Sequence, residues 1–200
     1  MSLLKRFPVA TSGVMVLLLC ILSVAFVDRP LADFLKQSVG GSVETFFKGA
    51  TNLGRAELYM VPTGLIWIWA TVWGAPTWKR PSAYVFLTMC AAGAVELSVK
   101  FCLGRTRPKL WFEQGQFTVE PFTHGWAVNS FPSGHSQAAW AAMTALMVLF
   151  PRYRWVFLGI ATVVALSRVI ITVHWASDAL AGAWVGFAAA MLLRRYLSAS

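Results

Sequence analysis

Six stretches of the chain carry almost no charge, and most of them are close to the length that crosses a lipid bilayer. A transmembrane helix needs about 20 mainly apolar residues, and these stretches cover residues 8–27, 58–78, 82–103, 135–150, 155–173 and 179–193. Hydrophobic residues make up 58% of the 200, too many for an ordinary soluble domain. We therefore expect one integral membrane domain over residues 1–200 with six transmembrane helices. The fourth and sixth stretches are short, so flanking residues must extend them or the bilayer must thin locally.

The first stretch also has features of a cleaved signal peptide. Lys5 and Arg6 precede it, and Ser23-Val24-Ala25 has the small residues of a cleavage site. However, the stretch is longer than the roughly 7 to 15 residues of a signal-peptide core. We interpret it as a retained transmembrane helix.

Basic residues are concentrated on one side of the membrane if the chain crosses at each stretch. That side has no acidic residue and collects Lys5, Arg6, Lys79, Arg80, Arg152, Arg154, Arg194 and Arg195. Because short cytoplasmic loops are rich in Lys and Arg, we assign it to the cytoplasm. The opposite side then holds two longer connections, residues 28–57 and 104–134. The net charge of +9 follows mainly from this topology, and a nucleic-acid partner is not expected because it needs a basic face on a soluble module.

The connection over residues 28–57 mixes charges with apolar residues at near-helical spacing. Its apolar members include Phe34, Leu35, Val39, Val43, Phe46 and Phe47. This pattern predicts one or two amphipathic helical pieces on the outer membrane surface.

The three cysteines offer no metal site. Cys20, Cys90 and Cys102 lie within or at the ends of apolar stretches and lack the spacing of metal ligands. We interpret them as small packing residues, and we expect no metal and no other cofactor.

Three separate segments bring ionisable side chains to the outer side of the membrane. KFCLGRTRP ends the third stretch, FPSGHS opens the fourth, and SRVIITVHWASD ends the fifth. Charges inside a membrane are expensive, so they indicate a functional site. The candidate site residues are Lys100, Arg107, Ser133, Gly134, His135, Arg168, His174 and Asp178.

This set of side chains suits chemistry on a phosphate group. Guanidinium groups match the oxygens of a dianionic oxyanion and stabilise the additional charge of a transition state. The Pro-Ser-Gly-His turn adds backbone N–H groups at a helix N-terminus. One histidine can attack while the other transfers a proton. Asp178 lies four residues after His174, so on a helical turn its carboxylate would fix the tautomer of that histidine.

Other interpretations of these residues stay open. His and Asp also bind metal ions, but the metal sites of phosphatases are rich in carboxylates, whereas cations predominate here. Glu96 and Lys100, four residues apart, could simply neutralise each other in the membrane. His124 has no such neighbours and is interpreted as a loop residue. Arg105 and Lys109 either support the site or contact lipid headgroups.

The three segments resemble the signature of the type 2 phosphatidic acid phosphatase (PAP2) superfamily, which is K-x6-RP, PSGH and SR-x5-H-x3-D. The matching residues are Lys100 with Arg107-Pro108, residues 132–135, and Ser167-Arg168 with His174 and Asp178. The resemblance implies an all-α bundle of six membrane helices, with a catalytic core that soluble bacterial acid phosphatases and vanadium haloperoxidases share. The first eighty residues carry no part of the signature.

The same resemblance implies a role for each candidate residue. His174 would be the nucleophile that forms a phosphohistidine, Asp178 its orienting partner, and His135 the acid that protonates the leaving oxygen. The phosphoryl oxygens would be held, without a metal, by Lys100, Arg107, Arg168, Ser133 and the Gly134 amide.

We therefore expect a membrane lipid phosphate phosphatase whose site faces the outer side, which in a bacterium is the periplasmic side of the inner membrane. The candidate substrates are undecaprenyl diphosphate, phosphatidylglycerol phosphate, phosphatidic acid and the phosphates of lipid A. A lipid phosphotransferase and a non-enzymatic phospholipid-binding protein are the alternatives, and haloperoxidase chemistry is less expected. No obligate protein partner is inferred.

Overall fold

The computed structural model of the protein describes residues 8–198, and this part of the chain forms ten α-helices. They are α1 (Pro8–Phe26), α2 (Asp28–Ser38), α3 (Gly41–Ala50), α4 (Glu57–Val72), α5 (Pro76–Leu103), α6 (Pro108–Gln114), α7 (Gly134–Leu149), α8 (Arg154–Ile170), α9 (Ala176–Leu193) and α10 (Arg195–Ser198). Short 3₁₀ turns cover Thr51–Gly54, Trp126–Val128 and Pro151–Tyr153. Lys5 and Arg6, which the topology prediction uses, lie outside the described residues.

Four helical stretches of the described chain are long and apolar enough to cross a membrane. They are Val9–Phe26, Pro76–Leu103, Pro151–Ile170 and Ala176–Leu197, and they contain α1, α5, α8 and α9. The prediction of an all-α membrane protein is confirmed. The second and fourth predicted spans form α4 and α7, which have 16 residues each. Such a helix is about 24 Å long against a hydrocarbon core of about 30 Å, so the count of six crossings stays a prediction.

The second predicted span is shorter than the sequence pattern indicates. Apolar residues continue to residue 78, but α4 ends at Val72. Gly74 has a φ of +66°, a left-handed conformation that glycine adopts without strain. Pro76 then begins α5, where its fixed φ favours a helix start. The chain therefore turns before the apolar run is finished.

Helix α7 lies at the centre of the bundle and packs against α5, α8 and α9. Small residues allow this packing: five alanines of α7 are buried, at positions 138, 139, 141, 142 and 145. On α9, a side chain at Gly182 would collide with the carbonyl oxygen of Ser133, and one at Gly186 with that of Gln137. Two small residues four positions apart let membrane helices approach closely. This contact fixes the start of α9 against the start of α7.

Helix α1 lies at the edge of the bundle, where it packs on α9. Most of its large apolar side chains are exposed, among them Leu17, Leu18 and Leu22. In a membrane protein, this exposed surface faces lipid. The connection after α1 forms the two short helices α2 and α3, as the amphipathic pattern predicts.

Candidate active site

The His174 side chain lies in the loop between α8 and α9 and is 3% exposed. Its Nδ1 faces the Oδ2 atom of Asp178 at 3.4 Å. On the other side of the ring, the Nη1 atom of Arg107 lies 2.9 Å from Nε2. With the proton on Nδ1, the Nε2 lone pair can accept the Arg107 N–H. This arrangement gives a histidine whose outer nitrogen is unprotonated and lies beside a guanidinium group.

Burial favours the neutral form of His174. Removal from water lowers the pKa of this imidazole well below its ordinary range, and the nearby charges of Arg107 and Arg168 lower it further. The hydrogen bond to Asp178 opposes this effect without cancelling it. The imidazole is therefore neutral at pH 7, as a nucleophile must be.

Asp178 is the third residue of α9 and is fully buried. Its Oδ2 accepts the Trp175 backbone N–H at 3.0 Å, which satisfies a free donor at the start of the helix. The same oxygen accepts the Ser130 hydroxyl at 2.5 Å. The other oxygen, Oδ1, accepts Nη1 of Arg105 at 2.7 Å. Asp178 therefore makes fixed contacts on both oxygens.

Arg107 and Arg168 are both buried, with 5% and 8% exposure. Arg107 donates to the backbone carbonyls of Trp126 and Val173 in addition to its contact with His174. Arg168 donates to the Thr51 hydroxyl at 2.6 Å, and its Nε is buried without a partner. Neither guanidinium has a carboxylate partner among the described residues. Two buried positive charges are thus left for an anion to neutralise.

Lys100 forms an ion pair with Glu96 one turn earlier on α5. The pair lies directly against Gly134, where an added Cβ would lie 2.7 Å from Glu96 Oε1 and 3.5 Å from Lys100 Nζ. Glu96 and Lys100 therefore neutralise each other, as one interpretation of the sequence has it. The pair also borders the candidate site. The ammonium group of Lys100 lies beside Gly134, the first residue of α7.

Ser133 precedes the first residue of α7 and is fully buried. Its backbone N–H donates to the carbonyl oxygen of Asp178 at 3.0 Å, which ties the second signature segment to the third. Its hydroxyl accepts from Ser136 at 3.1 Å and keeps its own proton to donate. Ser133 can therefore donate to a bound oxyanion through its side chain.

His135 is half-buried on the wall of a cavity of about 540 Å³. The cavity lies between α4, α5 and α7, and Glu96, Gly134 and Gln137 also line it. Gly134, which precedes His135, lies against the Glu96–Lys100 pair. The backbone carbonyl of Arg168 accepts the His174 backbone N–H at 3.0 Å. The structure therefore brings the eight candidate residues into one site, with His174 in its buried part and His135 at its open part.

The first eighty residues contribute to the site although they carry no signature. Asp28, the first residue of α2, is buried and forms an ion pair with Arg105. Gly54 packs against His135, because an added Cβ would lie 3.0 Å from the His135 Cβ and 2.7 Å from Val164 Cγ1. Thr51 holds Arg168. Sequence reasoning missed these residues because no local pattern connects them with the three segments.

Three charged or titratable residues outside the candidate set can now be placed. Arg105 is 6% exposed and contacts Asp178, so it supports the site and does not contact lipid headgroups. His124 is exposed and lies over the ring of Phe101, with 5.3 Å between ring centroids. Lys109 is exposed, and its Nζ lies 3.8 Å from Oε1 of Glu113.

Within residues 8–198, no group of three or more His, Cys, Asp or Glu side chains could hold a metal ion.

Comparison with known proteins gives several matches. The model of the PAP2 superfamily matches residues 81–200. A lipid A 1-phosphatase from Rhizobium johnstonii is 37% identical over 117 residues, which cover 56% of this chain and 48% of that protein. The chain thus spans about half the length of this curated relative. An undecaprenyl-diphosphatase from Sulfolobus acidocaldarius is 24% identical over 166 residues, or 76% of this chain and 78% of that protein.

A solved structure has the same fold. The crystal structure of a transmembrane PAP2-type phosphatidylglycerolphosphate phosphatase from Bacillus subtilis matches with a TM-score of 0.74 and 20% identity, covering 96% of each chain.

Proposed function

Because the chain belongs to the PAP2 superfamily, we propose that it is a membrane lipid phosphate phosphatase that works through a phosphohistidine. The observation that carries the proposal is a pair of buried guanidinium groups without carboxylate partners among the described residues. They belong to Arg107, which contacts Nε2 of His174, and to Arg168, whose backbone carbonyl accepts the His174 backbone N–H. Buried charges are paired in folded proteins. A phosphate dianion supplies the missing charge, and its phosphorus then lies next to a neutral imidazole nitrogen.

In the first step, Nε2 of His174 attacks phosphorus. The new N–P bond forms as the bond between phosphorus and the lipid oxygen breaks, and protonated His135 gives its proton to that leaving oxygen. Arg107 and Arg168 stabilise the charge on the phosphoryl oxygens. Asp178 stabilises the positive imidazole ring that results from the attack.

In the second step, water replaces His174 on the phosphorus. His135, now neutral, accepts a proton from the water as its oxygen attacks, and the N–P bond breaks. Inorganic phosphate leaves, and both histidines return to their starting protonation states. The half-open position of His135 on the cavity wall supports this role, because the water and the leaving group must both reach it.

The cavity beside His135 supports a lipid substrate. It is lined on one side by Met60, Met89 and Leu97. Met60 also lines an apolar groove between α4 and α5, together with Leu65 and Phe86. A lipid whose phosphate is bound at His174 can therefore leave its hydrocarbon chain in the membrane at this groove.

Among lipid phosphates, we propose the 1-phosphate of lipid A as the first substrate to test, because a lipid A 1-phosphatase matches the part of the chain that holds the signature segments. Undecaprenyl diphosphate is the second candidate, supported by the longer match to an undecaprenyl-diphosphatase. Phosphatidylglycerol phosphate and phosphatidic acid complete the panel.

The decisive experiment incubates the purified protein with these four lipids and measures free phosphate and the dephosphorylated lipid, with His174→Ala as the control. Equal amounts of free phosphate and product lipid support hydrolysis. Product lipid without free phosphate would identify a phosphotransferase. Binding of the lipids without any product would identify a non-enzymatic phospholipid-binding protein.

We also propose that the site faces the periplasmic side of the inner membrane. In a Cys102→Ala background, Gln116→Cys and Ser42→Cys should react with an impermeant thiol reagent added to intact cells, while Arg152→Cys should not. All three positions are exposed in the structure, so labelling reports sidedness. The reverse pattern would contradict both the orientation and the choice of substrate pool.

A further inference from the structure

Asp28 is a buried carboxylate that the catalytic steps do not use. It lies at the start of α2 and is 1% exposed. Its Oδ1 accepts the backbone N–H of Ser177 at 3.0 Å and the Ser23 hydroxyl at 2.8 Å. Its Oδ2 accepts Nη2 of Arg105 at 2.7 Å and the Ser177 hydroxyl at 2.5 Å. Two of these four hydrogen bonds attach the start of α2 to the start of α9, and the other two join Asp28 to α1 and to Arg105.

Arg105 lies between two carboxylates. Its Nη2 donates to Asp28, and its Nη1 donates to Asp178 and to the Ser177 hydroxyl. The guanidinium carbon also lies 5.2 Å from the ring centre of Phe117 and 5.5 Å from that of Trp175. The plane and position of the guanidinium are therefore set by contacts at both ends and on its faces.

We propose that Asp28 is a positioning residue for the reaction: it holds Nη2 of Arg105 so that only Nη1 reaches Asp178, which leaves Oδ2 of Asp178 directed at His174. This inference rests on the proposed function, because it concerns how the nucleophile is oriented.

The geometry of the arginine–carboxylate pair explains why this is needed. A guanidinium next to a carboxylate favours two parallel hydrogen bonds, one to each oxygen. If Nη2 were free, Arg105 could take both oxygens of Asp178 in this way. Oδ2, which already accepts the Trp175 N–H and the Ser130 hydroxyl, would then accept a further N–H. Less of its charge would be left for the Nδ1–H of His174. Asp28 prevents this by occupying Nη2.

The consequence for His174 concerns its tautomer. The Nδ1–H needs an acceptor for Nε2 to stay unprotonated, and Oδ2 of Asp178 is that acceptor. In metal sites, loss of a residue that orients a ligating histidine typically costs about 10- to 100-fold in activity, and we expect a loss of similar size here. Because substrate is held by other side chains, the loss should fall on kcat and leave KM unchanged.

The first test compares Asp28→Asn with the matched control Asp33→Asn. Asp33 is also on α2 and accepts the indole N–H of Trp111 at 2.8 Å, away from Arg105. We expect Asp28→Asn to lower kcat by about 10- to 100-fold with KM within about twofold. The control should keep kcat. Asp28→Asn should lower the unfolding temperature as well, because it breaks a buried ion pair, so kcat is measured at a temperature at which both variants are folded.

The second test asks whether Asp28→Asn raises or lowers kcat when Arg105 is replaced. Arg105→Gln leaves Asp28 and Asp178 facing each other without a cation, which is unfavourable for buried like charges. In that background, Asp28→Asn removes one of the two charges and should raise kcat, the opposite of its effect in the parent protein. Should Arg105→Gln fail to accumulate, Arg105→Lys replaces it. A lysine lacks the fork, so Asp28→Asn should then cost less than it does in the parent.

Several outcomes would overturn the inference. The first is an unchanged kcat for Asp28→Asn together with a lowered unfolding temperature. The second is a change in KM alone. The third is a double variant, Asp28→Asn with Arg105→Gln, whose loss in kcat equals the product of the two single losses. An inactive parent protein would instead contradict the proposed function, so the two failures can be distinguished.

Discussion

The two histidines of the site lie in contrasting surroundings. His174 is buried, and its neighbours Asp178 and Arg107 are themselves fixed by further hydrogen bonds. His135 lies on the wall of a cavity, and no hydrogen bond to its ring is present among the described residues. The buried part of the site provides a fixed orientation, and the open part provides access for lipid and water. A two-step phosphoryl transfer needs both, since one histidine must be held still and the other must exchange protons with different partners.

The largest effect should come from the buried part. We expect His174→Ala to lower turnover at least about a thousandfold with every leaving group, because no other nitrogen can take the place of Nε2. An acid-labile phosphoenzyme, trapped by rapid acid quench and seen on a denaturing gel, should also disappear. His124→Ala is the matched control, since His124 lies in an exposed loop. A His174→Ala protein that still becomes phosphorylated would show that the nucleophile is another residue.

The second largest effect should come from replacing His135, in the open part of the site. We expect His135→Ala to lower turnover of a lipid phosphate ester by about 10²- to 10⁴-fold, because its alkoxide leaves poorly without a proton. With an aryl phosphate, whose leaving group needs little assistance, the first step should be nearly normal. Phosphohistidine should then accumulate after a burst of aryl alcohol, because the base for the second step is missing.

Single-turnover release of the aryl alcohol measures the first step alone. Equal damage with both leaving groups would contradict the division of roles between the two histidines.

A smaller effect should follow from moving His135 without removing it. A Cβ at Gly54 would press on Val164 and His135, so Gly54→Ala should shift the imidazole and lower lipid turnover by about tenfold. The aryl phosphate should be affected less. Gly49→Ala is the control, because no atom lies within 4 Å of an added Cβ there. Equal losses with the two variants would indicate a general effect on folding.

The smallest effect should come from chelation. Because Arg107 and Arg168 supply positive charge that no carboxylate among the described residues neutralises, excess EDTA should leave phosphate release unchanged. Vanadate, which resembles phosphate, should inhibit. Loss of activity with EDTA that magnesium restores would show that a metal ion takes part in the reaction.

The sequence predicts those features of the fold and site that depend on local spacing. Transmembrane stretches are visible because a membrane requires about 20 apolar residues in a row. The His174–Asp178 contact is predicted from their spacing of four residues, although His174 lies in the loop before α9 and Asp178 reaches it from the first turn of that helix. The end of α4 is harder to predict, since Gly74 and Pro76 lie within an apolar run and interrupt it.

Contacts between distant segments could not be predicted in the same way. Asp28 and Arg105 are 77 residues apart, and each is, by itself, an ordinary charge near the end of an apolar stretch. Ser130 and Gly54 likewise have small side chains without a distinctive spacing. Their roles come from the packing of the bundle, which places α1 and the Thr51–Gly54 turn beside the signature segments.

The link between Asp28 and Ser177 has a consequence for how the protein is made. The two residues are 149 positions apart, so Asp28 leaves the ribosome well before its partners on Arg105 and α9 exist. Because the ribosome adds about 5 to 20 residues per second, Asp28 stays at the membrane surface without Ser177 for on the order of ten seconds. Only a chain whose last long helix has been inserted can bury it. A chain that lacks α9 therefore carries this carboxylate, at the start of α2, without the two hydrogen bonds from Ser177.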